Sequence, residues 1–174
     1  MTETAALYPA TTDYASYYGR YVSLVPEGDI LATLTGQLDA TLALLRGIDE
    51  EKAGHRYAPD KWSIKELVGH ITDAERIFAY RALRFARNDR TELSGFEQDD
   101  YIRYANFDDC RLSDLVEEFE HVRRANLQML GHLDAEAWQR RGVASGSEVS
   151  VLALAYIMAG HEKHHVQILK TRYL

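Results

Sequence analysis

The sequence predicts an all-α protein built as a four-helix bundle. Three observations carry this. All three prolines, Pro9, Pro26 and Pro59, fall before residue 60, so the rest of the chain can run through long helices unbroken. Four segments space their apolar residues at the 3- and 4-residue steps of a helix with one buried stripe. No stretch sustains the alternation of a half-buried strand, and no repeat of about 20–50 residues is present. A chain of 174 residues fits one domain, taken here as residues 1–174.

Residues 1–25 hold Tyr8, Tyr14, Tyr17, Tyr18 and Tyr21 and read as a tyrosine-rich arm lying on the bundle. The first helix is expected over Asp29–Ile48, with the stripe Leu31, Leu34, Leu38, Leu42, Leu45 and Ile48. The second is expected over Ile64–Arg87. Ser63 and Glu66 form a capping box, with Trp62 and Leu67 placed as its hydrophobic staple. Its apolar face holds Leu67, Ile71, Ala74, Ile77, Phe78, Ala82 and Phe85. The third is expected over Ser113–Leu133, with the stripe Leu112, Leu115, Phe119, Val122, Met129 and Leu133. Asn126 intrudes there and needs a hydrogen-bond partner. The fourth, Val151–Arg172, is capped by Ser150 and carries Leu154, Met158, His161, His165 and Ile168 at 4-3-4-3 spacing. The long connection from Asn88 to Arg111 carries Gly95, Phe96, Tyr101, Tyr104 and Phe107, so an ordered crossover is expected.

Composition narrows the function. Lys plus Arg is 20 and Asp plus Glu 27, giving a net charge of −7 that disfavours nucleic acid as primary partner. The one cysteine, Cys110, excludes an internal disulfide and a multi-cysteine zinc site. A reducing cytoplasm is the natural setting. The N-terminus shows no signal peptide, and no apolar run of about 18 residues predicts a membrane span. Nucleophile elbows and phosphate-cradling glycine loops do not occur.

Histidine carries the clearest chemistry. His161 and His165 lie one helical turn apart on the inward stripe, a geometry that can chelate a divalent ion. A hydrogen-bonded core pair is the alternative reading. His70 shares an inward row with Leu67, Ala74 and Ile77 and is the candidate third ligand. It lies about 11 Å along helix two, and the His161–His165 midpoint about 14 Å from the end of helix four, so their levels match if the helices run antiparallel. Three neutral imidazoles leave a coordination position open for water or substrate, and the ligand set suits zinc, nickel and other first-row ions. Asp73 and Glu162 are candidate acceptors for the ligand N–H groups. His55, His121 and His132 read as surface residues, and His164 as surface or boundary. Arg76, Arg81, Arg84, Arg87 and Arg90 read as a solvated row, with anion binding as the alternative.

The segments Lys61–His70, Asp73-x-Glu75-Arg76-Ile-Phe-Ala-Tyr-Arg81, Gly95-Phe96 and Ala159-Gly-His-Glu-Lys-His-His165 together resemble the DinB/YfiT-like superfamily of metalloenzymes, in particular its DinB-like branch. The resemblance covers nearly the whole chain. It implies helices in up-down-down-up order, with the long crossover between helices two and three. It implies one divalent metal, typically nickel or zinc, on His70, His161 and His165, with water completing the shell. It also implies a homodimer and activity with low-molecular-weight thiols such as bacillithiol, mycothiol or glutathione. The reading that follows is a metal-dependent transferase joining a small thiol to an electrophile. A metal-dependent hydrolase and a non-enzymatic metal- or ligand-binding stress protein are the alternatives.

Overall fold

The computed structural model describes residues 8–174; residues 1–7 of the expected arm lie outside the described residues. The helices are α1 (Gly19–Val22), α2 (Ile30–Leu45), α3 (Glu50–Ala53), α4 (Ile64–Ala86), α5 (Gln98–Tyr104), α6 (Leu112–Gly131), α7 (Ala135–Gln139) and α8 (Val151–Ile168). The four expected helices are α2, α4, α6 and α8. Each starts within a residue of its expected position. Asp29 Oδ1 accepts from the Leu31 and Ala32 amides at 2.9 and 3.1 Å. Ser63 Oγ accepts from the Glu66 amide, and Glu66 Oε2 from the Ser63 amide, closing the capping box of α4. Ser150 Oγ accepts from the Ala153 amide at the start of α8. The expected run to Arg172 is corrected: α8 stops at Ile168 and widens into a π-turn over Leu169–Tyr173.

Side-chain contacts fix the helix directions. Along α2 and α8 the pairs Gly28–Tyr156, Gln37–Ala159 and Thr41–Glu162 rise together, so these helices are parallel. Arg46–Glu120 and Leu34–Arg123 run in opposite senses, so α2 and α6 are antiparallel. Lys65 reaches the Asp108 carbonyl and Arg76 pairs with Glu118, so α4 and α6 run the same way. Tyr173 with Trp62 at one end and Arg140 with Ala86 at the other set α4 against α8. The order is therefore up-down-down-up, as the family resemblance implies. No helix of the described residues is long and apolar enough to cross a membrane.

The core has two apolar halves. One holds Ile30, Leu34, Phe78, Phe85, Trp138 and Tyr156; the other holds Leu38, Leu42, Ile64, Leu115, Phe119 and Leu169. Burying each such side chain stabilises the fold by about 1.5–3 kcal/mol. Between the halves lies a polar layer. Arg123, fully buried on α6, donates to Glu75 of α4 at 2.6 and 2.7 Å, to Glu162 of α8 at 2.8 Å and to the Leu34 carbonyl of α2 at 3.1 Å. Thr41 donates to Glu162 at 2.6 Å, and Asn126 finds its partner in Glu75 at 3.3 Å. The stripe of α6 thus runs through Arg123, while Val122 and Met129 are only half-buried.

A β-hairpin corrects the expectation of no strands. Strands β1 (Arg141–Ala144) and β2 (Ser147–Ser150) pair antiparallel. The turn residues Ser145 and Gly146 both have positive φ, 53° and 72°, as a type I′ turn requires. Each strand is four residues long, too short for its alternation to stand out. The crossover joins this hairpin: the Leu93 amide donates to the Val143 carbonyl, and the Ser145 amide to the Leu93 carbonyl, both at 2.9 Å. Further on, Phe107 packs flat on Gly69, the residue before His70. The crossover is therefore ordered and seated beside the histidines.

Gly160 lets the arm approach. A Cβ there would fall inside the Tyr21 backbone carbonyl, which gives way only if α1 moves. Gly160→Ala is expected to destabilise the protein by about 1–3 kcal/mol. Thermal unfolding measures the loss, and faster proteolysis within residues 8–25 reports the displaced arm.

Candidate metal centre

His70 sits in the second turn of α4, and His161 and His165 in the later half of α8. The antiparallel pairing of these helices brings the three rings together, as the matching axial levels predict. His70 Nε2 and His161 Nε2 are 3.1 Å apart, and one ring nitrogen from each of the three residues lies within 4.8 Å of the others. The rings are 2%, 5% and 8% exposed. Three convergent, neutral nitrogens are the donor set that zinc, nickel or another first-row ion takes, so the cluster could hold a metal ion.

Aromatic rings enclose the cluster. Trp62 lies 4.7 Å from His70 and stacks at 6.3 Å and 23° on His165. Tyr21 and Phe78 meet His161 edge-on at 5.3 and 5.6 Å. Trp62 thus walls the site from the residue before the helix cap, a role that its reading as a staple did not include. A cavity of about 300 Å³ reaches His70 and His161 from one side, and a second of about 300 Å³ reaches His165 from the other. Gln98 and Asp99, at the start of α5, border both.

Burial in this apolar shell penalises the charged imidazolium. It lowers the His70 pKa to about 4. It lowers His165 to about 2, helped by His70 and His164. It drives His161 well below the usual range, helped by its two histidine neighbours and His164. Neutral rings are the metal-ligating form, so the shell prepares the donors. Between pH 6.5 and 4 the metal-free native state binds fewer protons than the unfolded chain, whose histidines titrate near 6.5. Stability is therefore expected to fall on acidification through that window, at about 1.4 kcal/mol per pH unit for each such histidine. Urea midpoints of chelator-treated protein check this. A midpoint flat from pH 7 to 4.5 would contradict it.

Other candidates fall elsewhere. Glu162 points into the core towards Arg123 and Thr41, and Asp73 pairs with Arg76 at 3.5 Å, so neither supports a ligand N–H. Arg81 is not part of a solvated row. It is 3% exposed and donates to the Ser94 carbonyl and Ser145 Oγ, tying α4 to the crossover and the hairpin turn. His55, His121 and His132 are exposed and His164 half-buried, as read from the sequence. Cys110 is half-buried and donates to the Asn106 carbonyl. Sequence reasoning missed Arg123. Its signal was the spacing Phe119, Arg123, Asn126, Leu130, which keeps the helical step with polar members.

An up-down-down-up bundle with three buried histidines on two antiparallel helices defines a class of helical proteins able to hold one ion in a half-enclosed pocket. Residues 33–169 match the model of the DinB superfamily, and the chain belongs to that superfamily. Three solved structures share the fold. YfiT of Bacillus subtilis, described as a probable metal-dependent hydrolase with an unusual four-helix bundle topology, superposes with TM-score 0.69 at 10% identity, covering 93% of this chain and 89% of its own. A DinB-like protein of Bacillus subtilis gives 0.60 at 21% identity, over 81% and 86%. A mycothiol-dependent maleylpyruvate isomerase gives 0.64 at 16% identity, over 83% of this chain and 61% of its own. No curated protein matches the sequence.

Proposed function

We propose that the protein is a metal-dependent transferase that joins a low-molecular-weight thiol to an electrophile, with His70, His161 and His165 holding one zinc or nickel ion. The observation that carries this is the three-nitrogen cluster at the floor of a cavity that leaves one face of the cluster open. A divalent ion at that site supplies Lewis acidity, which lowers the pKa of a thiol or water at its open face.

The chain's own residues favour thiol over water. Hydrolysis by an activated water gains from a carboxylate base beside the site, as in the HExxH pattern that His161-Glu162-Lys163-His164-His165 matches in sequence. Here Glu162 is committed to Arg123 and Asp73 to Arg76. A thiol held as its thiolate needs no such base. Trp62, Tyr21 and Phe78 exclude water around the ligands, and Phe107 on Gly69 holds the turn that carries His70. Hydrolysis is the second reading, favoured by the full-length likeness to YfiT.

Zinc- or nickel-loaded protein, assayed with bacillithiol, mycothiol and glutathione against an aryl chloride, separates the readings. Metal-dependent consumption of thiol supports the transferase. Metal-dependent cleavage of ester or amide substrates without thiol moves the assignment to hydrolysis. Metal uptake with neither activity makes the protein a metal-binding module. A homodimer and a cytoplasmic setting complete the proposal, the first checked by sedimentation and the second by fractionation of cells producing the protein.

A further inference from the structure

We propose that the cavity above His70 and His161 is built to receive an organic cation, so that the substrate portion entering it carries an ammonium group instead of a carboxylate. The inference deepens the reading of this site as an enzyme's and rests on it only in calling the occupant a substrate.

The cavity has three tiers. At the floor, the His70 and His161 rings are more than nine-tenths buried and border the opening. Above them the wall is aromatic, from Tyr17, Tyr18, Tyr21, Phe78 and Phe96. The rim is formed by Glu97, Gln98 and Asp99, where the crossover enters α5. Aromatic faces carry negative potential and attract cations within about 6 Å. One ring already does so: the Arg20 guanidinium lies 4.3 Å over Tyr17. Aromatic walls below carboxylates make up the two halves of an ammonium site.

Charge around the cavity agrees. Glu97 leaves its helix uncapped, and among the described residues neither Glu97 nor Asp99 forms an ion pair, whereas neighbouring Asp100 pairs with Arg103. No Lys or Arg among the described residues lines the cavity. Three neighbouring cations have hydrogen-bond partners of their own. Arg20 bonds to the Tyr17 carbonyl at 3.2 Å, Lys163 reaches the Leu24 carbonyl at 2.8 Å, and Arg81 stands behind Ser145 and faces the adjoining cavity. A carboxylate entering here meets two like charges at the exposed rim. An ammonium at the rim meets both, and leaves the uncharged reacting end free to reach the histidine floor.

The test compares choline, its uncharged carbon isostere 3,3-dimethylbutan-1-ol, and butyrate. Each is titrated into metal-free and zinc-loaded protein by calorimetry and by aromatic proton shifts. Choline is expected to bind saturably, with the isostere at least about tenfold weaker and butyrate weaker still. Glu97→Gln with Asp99→Asn, both exposed positions, is expected to cut choline affinity about tenfold, and Tyr18→Leu to lower it further. Equal binding of choline and its isostere, or preference for butyrate, overturns the inference, as does an unchanged choline affinity in the carboxamide variant. The wild-type comparison stands even if a variant fails to fold. Choline binding without zinc uptake would overturn the metal reading alone; zinc uptake without choline selectivity would overturn this inference alone.

Discussion

Alanine at both His161 and His165 is expected to abolish stoichiometric metal binding. Protein purified without a metal-affinity tag should carry about one equivalent of zinc or nickel, and the double variant none after reconstitution. Losing a hydrogen bond that supports a metal ligand typically costs about 10–100-fold in affinity, and losing two of three ligands costs more. Elemental analysis reads the result, with far-UV circular dichroism as the control for folding. The control should hold, because Leu152, Leu154, Tyr156 and Ile157 anchor the first part of α8 in the core and Arg123 holds Glu162 further along it. Equal metal in variant and parent would overturn the site. An absence of metal in both, with none taken up on reconstitution, would leave the rings as buried core histidines and move the function to a binding or scaffold role.

Arg123→Met is expected to cost about 3–5 kcal/mol of stability at neutral pH. The guanidinium is fully buried and meets carboxylates of equally deep burial, Glu75 at 2.6 Å and Glu162 at 2.8 Å. Burial opposes its charge, yet the two glutamates more than compensate and hold its pKa raised. Removing it strands two like charges in the core. The urea midpoint should fall steeply. Adding Glu75→Gln and Glu162→Gln should recover much of the loss, because the stranded charges go with the arginine. A loss below 1 kcal/mol in the single variant would show that water or a local shift relieves the carboxylates. Metal affinity should fall with it, because Glu162 follows His161 directly and its bonds to Arg123 and Thr41 fix the turn that aims the ring.

These predictions connect the two polar features of the core. Leu34 lies on one side of the polar layer and Leu38 on the other, one helical turn apart. The layer contains both the ionic cluster and the histidine cluster, on neighbouring residues of α8. The ionic cluster involves all four long helices and so fixes their relative heights. The histidine cluster depends on such a fixed height, because His70 and the α8 pair meet only when α4 and α8 are in register.

Periodicity, caps and histidine spacing were enough to place the four helices, because each is a local signal. Ser63 and Glu66 close their box within three residues, and His161 and His165 share a face whatever surrounds them. His70 was also legible as a candidate, since helix rise matches its level to the pair once α4 and α8 run antiparallel. The hairpin was not, because four-residue strands leave too short a pattern and pair only once Leu93 and Phe85 are in place. Arg123 gave no local sign of burial, because its two glutamates lie 48 and 39 positions away. The rim of Glu97, Gln98 and Asp99 lies in a connection without periodicity, and reaches the histidines only because the crossover is anchored at Leu93 and at Phe107 on Gly69. The sequence by itself thus determined the helices and the facing of the candidate histidines on them, which depend on neighbours within a few residues. The tertiary structure alone decided the buried ionic layer and the charge of the cavity mouth, because both arise from groups that folding brings together from distant parts of the chain.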